Sequence, residues 1–140
     1  MGEDHAELSG ILHLFAENKD LEDVGDLAHC SNIEFVCLAR NLLSSLEPLA
    51  HLAHMRLLDL SSNHLRTLPS ADFWVTLPAL QVLFVHSNKL PRVSVVGGLA
   101  GAKALRVLTL HSNPLASANA YRPMMLSICP KLLCFDGAVL

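Results

Sequence analysis

The sequence predicts an α/β solenoid, in which short strands form a parallel sheet on the concave side and helical or 3₁₀ segments return along the convex side. The first observation is an apolar phrase with an asparagine at a fixed position, whose copies span 33–43, 55–65, 80–90 and 105–115. The second is the spacing of the phrase starts, roughly 22 to 25 residues. With a degenerate first copy, the starts are Ile11, Ile33, Met55, Leu80 and Leu105. The chain therefore holds about five coils.

The spacing of apolar residues changes within each copy. In the second copy, the apolar positions are Ile33, Val36, Leu38, Leu43, Leu46, Leu49 and Leu52. Alternation at the start predicts a strand, and the later steps of three predict a 3₁₀ or helical return. The phrase L-x-x-L-x-L-x-x-N-x-L resembles the leucine-rich repeat. This resemblance implies a right-handed solenoid whose coils bury their apolar side chains only when they are stacked.

The repeated asparagine has a structural role in this interpretation. A buried amide side chain can satisfy backbone N–H and C=O groups where the chain turns after each strand. We therefore expect Asn41, Asn63, Asn88 and Asn113 to form a buried ladder. In the first copy, Lys19 stands where asparagine is expected, and terminal coils commonly depart from the consensus because one face meets water.

The chain is predicted to be one leucine-rich repeat domain over 1–140. Residues 1–10 are expected to form an N-terminal cap, 11–115 the repeats, and 116–140 a C-terminal cap. The side chains expected to cover the last coil are Tyr121, Met125, Ile128, Leu132 and Phe135.

The C-terminal cap carries a more specific resemblance. It contains N-P-L at 113–115, Y-R at 121–122, C-P-x-L at 129–132 and F-D-G at 135–137. This pattern is similar to the cap of the subfamily that includes the leucine-rich regulator of protein phosphatase 1, the spliceosomal A-prime protein and the leucine-rich light chain of axonemal dynein. The resemblance implies a protein-binding subunit of an intracellular assembly.

The distribution of charge and the use of cysteine limit which ligands and which cellular locations the sequence favours. Residues 1–26 contain eight acids against Lys19, whereas 56–131 contain eight bases against Asp59 and Asp72. The bases are not clustered or interleaved with aromatics, so direct nucleic-acid binding is disfavoured.

No run reaches the roughly 18 apolar residues of a membrane span. The four cysteines lack the flanking clusters that form disulfides in extracellular repeats of this class, so they are expected to be reduced, which favours a cytoplasmic protein with the nucleus as the alternative. The resemblance of the cap adds the cilium as a possible location.

The concave face is the candidate site. Strand alternation places positions three, five and seven of each copy outward, where neighbouring coils align them in columns about 4.8 Å apart. An apolar band on such a face is typical of a partner site for a helix or an extended peptide. The residues predicted to bind a protein partner are Phe15, Phe35, Leu57, Asp59, Val82, Phe84, His86, Val107 and His111.

Two further hypotheses concern aromatic and titratable residues. His86 and His111 are neighbours in one column with Asp59 diagonal to them, so a zinc site is conceivable, but an open sheet lacks the pocket that zinc or catalysis needs. Partner contact is the favoured role. In the insertion at 69–78, one of Phe73 and Trp74 must enter the core, and the other is either packed or a second contact surface.

These observations predict a non-enzymatic, cofactor-free scaffold that binds a helix or peptide of a partner on its concave face within a larger assembly. The resemblance of the C-terminal cap implies a ciliary or axonemal component as the leading candidate. The alternatives are a phosphatase-regulatory subunit, an RNA-particle assembly protein that acts through a protein partner and, least favoured, a metal-dependent enzyme. The isolated chain is expected to be a monomer.

Overall fold

The structure, a computed structural model, describes residues 8–140 apart from the side chain of Asp26. Within these described residues, one sheet of seven strands runs in sequence order, and only its last pair is antiparallel. The strands are β1 His13–Phe15, β2 Phe35–Cys37, β3 Leu57–Asp59, β4 Val82–Phe84, β5 Val107–Thr109, β6 Cys134–Phe135 and β7 Ala138–Val139. The predicted N-terminal cap at 1–10 lies mostly outside the described residues, although Leu8 packs against the core.

The register of the sheet follows the repeated phrase. His13 pairs with Phe35, Phe35 with Leu57, Leu57 with Val82, and Val82 with Val107. Since each strand begins at the third position of its copy, equivalent positions stack in columns, as the sequence predicts. The middle residue of each of the strands β2 to β5 is fully buried and points between the layers.

The convex side consists mainly of 3₁₀ segments, as the steps of three predict. They span Gly25–His29, Glu47–Leu49, Val93–Gly101 and Pro114–Ser117. Apolar residues from these segments and from the strands form one continuous core that runs the length of the stack. A coil with only one neighbour would leave half of that surface in water, so stacking supplies the stability.

The third coil returns through a short helix, α1 Ala71–Val75, which packs against the 3₁₀ segment of the next coil. Both Phe73 and Trp74 are buried, with ring centroids 5.0 Å apart, so the hypothesis of a second contact surface at an exposed aromatic is wrong. The Trp74 indole Nε1 donates to the Pro69 carbonyl at 3.0 Å, which allows the ring to be buried without an unsatisfied donor.

A glycine makes this close packing of coils feasible. A Cβ atom on Gly98 would lie 2.3 Å from the Pro69 carbonyl oxygen and 2.8 Å from the backbone carbon of Ser70. Because both neighbours are backbone atoms that cannot rotate away, no larger residue fits at Gly98 without separating the two coils.

The asparagine ladder is confirmed. Asn41, Asn63, Asn88 and Asn113 are all buried. Each side-chain amide donates to carbonyls of its own coil and of the preceding coil, and its oxygen accepts a backbone N–H of the preceding coil. The Lys19 backbone N–H donates to the Asn41 oxygen at 3.0 Å, so the first coil uses the ladder without supplying an asparagine.

At the C-terminal end of the solenoid, the Asp136 carboxylate accepts backbone N–H groups of the last full coil. Its Oδ1 accepts the N–H groups of Leu110 at 2.6 Å and His111 at 3.0 Å, and its Oδ2 accepts the Tyr121 hydroxyl at 2.6 Å. Burial, together with this bond, raises the pKa of the Tyr121 hydroxyl. Tyr121 begins α2 Tyr121–Ile128, whose Met125 is fully buried, and this helix with Leu132 and Phe135 covers the last coil as predicted.

Candidate docking face

The apolar residues predicted on the concave face do lie there, in two adjacent columns. We call them the concave band: Phe15, Phe35, Leu57, Val82, Phe84 and Val107. Only Phe15, on the first strand, is strongly exposed, at 74%. The other five are half-buried, because each lies between neighbours one strand spacing away. The band is therefore a half-buried apolar surface with one exposed aromatic ring at its N-terminal end, and Cys37 and Asp59 lie between Phe15 and Phe84 in its second column.

Phe35 is held in place by its neighbours. The His13 ring meets it edge-on with ring centroids 4.9 Å apart, and the guanidinium carbon of Arg56 lies 5.9 Å from its centroid. Arg56 also pairs with Glu34, with 3.9 Å between the Arg56 Nη1 and Glu34 Oε1 atoms. A held ring loses little rotational freedom when a partner covers it, so Phe35 is well suited to be an anchor.

His86 and His111 form a stacked pair on the same face. Their ring centroids are 4.6 Å apart with an interplanar angle of 14°, and His86 Nδ1 is hydrogen-bonded to the Thr109 hydroxyl at 2.7 Å. The Phe84 ring meets His86 edge-on at 6.3 Å. Burial, followed by the nearby His111, lowers the pKa of His86. The prediction that His86 and His111 are neighbours in one column is confirmed. Through its contact with Phe84, the His86 ring continues the surface of the concave band beyond the end of β4.

Asp59 interacts with Ser61. Its Oδ1 accepts the Ser61 backbone N–H at 2.9 Å and the Ser61 hydroxyl at 2.7 Å. Within residues 8–140, no group of three or more His, Cys, Asp or Glu side chains is arranged to hold a metal ion.

Cys37 is a concave-face residue that sequence reasoning did not single out. Its Sγ donates to Glu17 Oε1 at 2.9 Å and lies 3.7 Å from Asp59 Oδ2. Burial, the Glu17 hydrogen bond and the nearby carboxylates raise its pKa to about 12, so the thiol stays protonated and unreactive. The column assignment contained the signal, because it already placed Glu17, Cys37 and Asp59 at outward positions of consecutive strands.

Comparisons with known proteins agree with this geometry. The Leucine Rich Repeat family model matches residues 54–75. Leucine-rich repeat and IQ domain-containing protein 3 of Mus musculus is 27% identical over 120 residues, which is 86% of this chain and 19% of that protein. The platelet glycoprotein Ib alpha chain of Mus musculus is 38% identical over 94 residues, which is 66% of this chain and 12% of that protein. The chain thus spans under a fifth of these relatives' lengths.

A solved structure extends the match to the whole fold. The structure of the Drosophila melanogaster SNF/U2A′ complex superposes with a TM-score of 0.85 at 22% identity, and the match covers 91% of this chain and 74% of that chain. The chain therefore has the fold of a leucine-rich repeat solenoid. Leucine-rich repeat solenoids commonly present one extended surface to a protein partner. Within residues 8–140, the helices are too short or insufficiently apolar to cross a membrane.

Proposed function

We propose that this solenoid is a non-enzymatic scaffold that binds a helix or an extended peptide of a protein partner on its concave face. The observation that carries the proposal is the concave band, an in-register apolar surface that retains solvent exposure on a side of the sheet that a partner can reach. The binding residues we propose are the concave band together with Asp59, His86 and His111.

We also propose that the chain acts as a subunit of a larger cytoplasmic assembly. Two observations support this: the fold is shared with a chain of the SNF/U2A′ complex, and all four cysteines are unpaired. The resemblance of the C-terminal cap keeps a ciliary or axonemal complex and a phosphatase-regulatory complex as specific forms of the proposal. RNA-particle assembly through a protein partner is the alternative, and it is the form in which the chain would be nuclear.

The test is a double substitution, Phe35→Asp with Phe84→Asp, which places two charges in the middle of the concave band. We expect the variant to lose the partners that affinity purification and mass spectrometry recover with the wild type. With a purified partner, each single substitution should weaken binding by about 2 kcal/mol or more, because aromatic anchors dominate such interfaces.

Val75→Asp is the matched control, since Val75 is 60% exposed on the convex helix α1. It replaces one apolar side chain with an acid, as each single substitution does, but away from the concave face, and it should leave binding intact. Thermal unfolding followed by circular dichroism establishes that the variants remain folded. Retention of the same partners by the folded double variant would show that the concave face is not the binding site.

A further inference from the structure

The concave face carries a pair of acids beside the apolar band. Glu17 follows β1, and Asp59 ends β3; both carboxylates approach the Cys37 thiol between them, at 2.9 and 3.7 Å. The thiol is protonated and donates its hydrogen to Glu17, so it adds no charge of its own. Two carboxylates therefore lie close enough for one cation to interact with both.

The described part of the chain supplies no such cation. Across residues 8–140, the salt bridge that forms is between Arg56 and Glu34, and no lysine or arginine lies within 4.0 Å of the Glu17 or Asp59 carboxylate. Arg56 is further occupied by the Phe35 ring. A positively charged side chain that approached from outside would therefore meet two carboxylates without displacing an existing ion pair.

The acid pair and the concave band are within reach of one segment. Leu57 precedes Asp59 by two residues on β3, and Phe35 precedes Cys37 by two on β2. Residues two apart on a strand share a face and are roughly 7 Å apart. An apolar side chain over Leu57 and a cationic side chain at Asp59 can thus come from adjacent turns of one helix or from alternate residues of one strand.

Resting on the concave-face function proposed above, we propose that the partner segment is amphipathic and basic. Its apolar side covers Phe35, Leu57 and Phe84, and a lysine or arginine at its edge pairs with Glu17 and Asp59. The apolar contacts supply most of the affinity. The charge contact sets which segments bind and in which direction, because reversing the segment would move the cation away from Glu17 and Asp59.

The test uses three synthetic helical peptides of about 18 residues with one shared apolar side and with lysine, glutamine or glutamate at the flanking positions. Fluorescence anisotropy measures their binding to the wild type and to Glu17→Gln with Asp59→Asn. These substitutions retain an oxygen for Cys37 and for Ser61. We expect the lysine peptide to bind the wild type most tightly. The double variant should bind the lysine peptide about fivefold more weakly, and its affinity for the glutamine peptide should equal that of the wild type.

Glu47→Gln with Asp72→Asn removes the same charge from exposed convex positions and should change nothing. Added salt should reduce the advantage of lysine over glutamine in the wild type. A lysine preference that survives in the Glu17→Gln, Asp59→Asn variant would overturn the inference, since the attraction would then come from the general surface charge.

The remaining outcomes separate this inference from the proposed function. If the three peptides bind the wild type equally and Phe35→Asp with Phe84→Asp abolishes binding, the basic partner is refuted and the concave site stands. If the peptides bind that apolar-to-acid variant as tightly as the wild type, the concave site itself is refuted. Failure of all three peptides to bind the wild type counts against both proposals.

Discussion

Replacing the ladder asparagines with alanine should destabilise the solenoid in proportion to the buried N–H groups each one satisfies. Asn88 Oδ1 accepts the N–H of Leu65 at 3.0 Å, whereas Asn113 Oδ1 accepts two, from Asn88 at 3.2 Å and Leu90 at 3.1 Å. In residues 8–140, these are the hydrogen bonds that the three N–H groups make. A buried donor left unsatisfied costs about 1 to 3 kcal/mol.

The two variants also differ in the backbone carbonyls that they leave without a hydrogen-bond donor. The Leu60, Val85 and His86 carbonyls that Asn88 contacts each accept a second donor, so Asn88→Ala leaves them paired. The Leu110 carbonyl accepts only the Asn113 amide within the described residues, so Asn113→Ala also leaves this group unpaired. We therefore expect a loss of about 2 kcal/mol for Asn88→Ala and about 4 kcal/mol for Asn113→Ala.

Urea unfolding, followed by circular dichroism and by Trp74 fluorescence, measures both losses. Coincident transitions with the two probes are needed, because repeat proteins can unfold in parts. Asn119→Ala is the control: Asn119 is exposed, and its replacement should change the free energy of unfolding by less than about 0.5 kcal/mol. If Asn113→Ala costs no more than Asn88→Ala, the number of orphaned donors does not determine the stability of the ladder.

Two further predictions concern packing and pH. Gly98→Ala should lower the free energy of unfolding by more than about 1 kcal/mol, because its Cβ would lie 2.3 Å from the Pro69 oxygen. Gly97→Ala is the matched control, since a Cβ there would meet no atom within 4 Å. Equal losses of stability in the two variants would contradict the argument. The lowered pKa of His86 means that the unfolded chain, with a histidine pKa near 6.5, takes up the proton first as the pH falls. Stability should therefore decline below about pH 6.5, and His86→Asn should flatten this decline in urea titrations; an unchanged pH profile in His86→Asn would refute the role of His86.

The repeated phrase was enough to predict the sheet, its register and the ladder. Each copy places the same residue type at the same point of the coil, so stacking aligns Phe35 with Leu57 and Asn63 with Asn88 whatever the rest of the chain does. The outward columns followed from strand alternation in the same way. Their function as a docking site stays a prediction.

The contacts between coils, and those of residues outside the repeated phrase, were not predictable from the repeat. Both Phe73 and Trp74 are buried because Gly98 lets the next coil approach the insertion, a contact between segments about one repeat apart that the spacing of apolar residues does not encode. Likewise, Asp136 reaches the groups of the last coil only because the cap folds back over it.

The acid pair on the concave face illustrates the same division. Alternation could assign Glu17, Cys37 and Asp59 to outward positions, but their hydrogen bonding depends on rotamers and on the distance between adjacent strands. In this protein, the repeated phrase alone predicts which residues share a column, because a regular repeat places equivalent positions side by side. Only the folded structure determined which neighbours within and between columns touch, because burial, side-chain rotamers and charge are properties of the assembled stack.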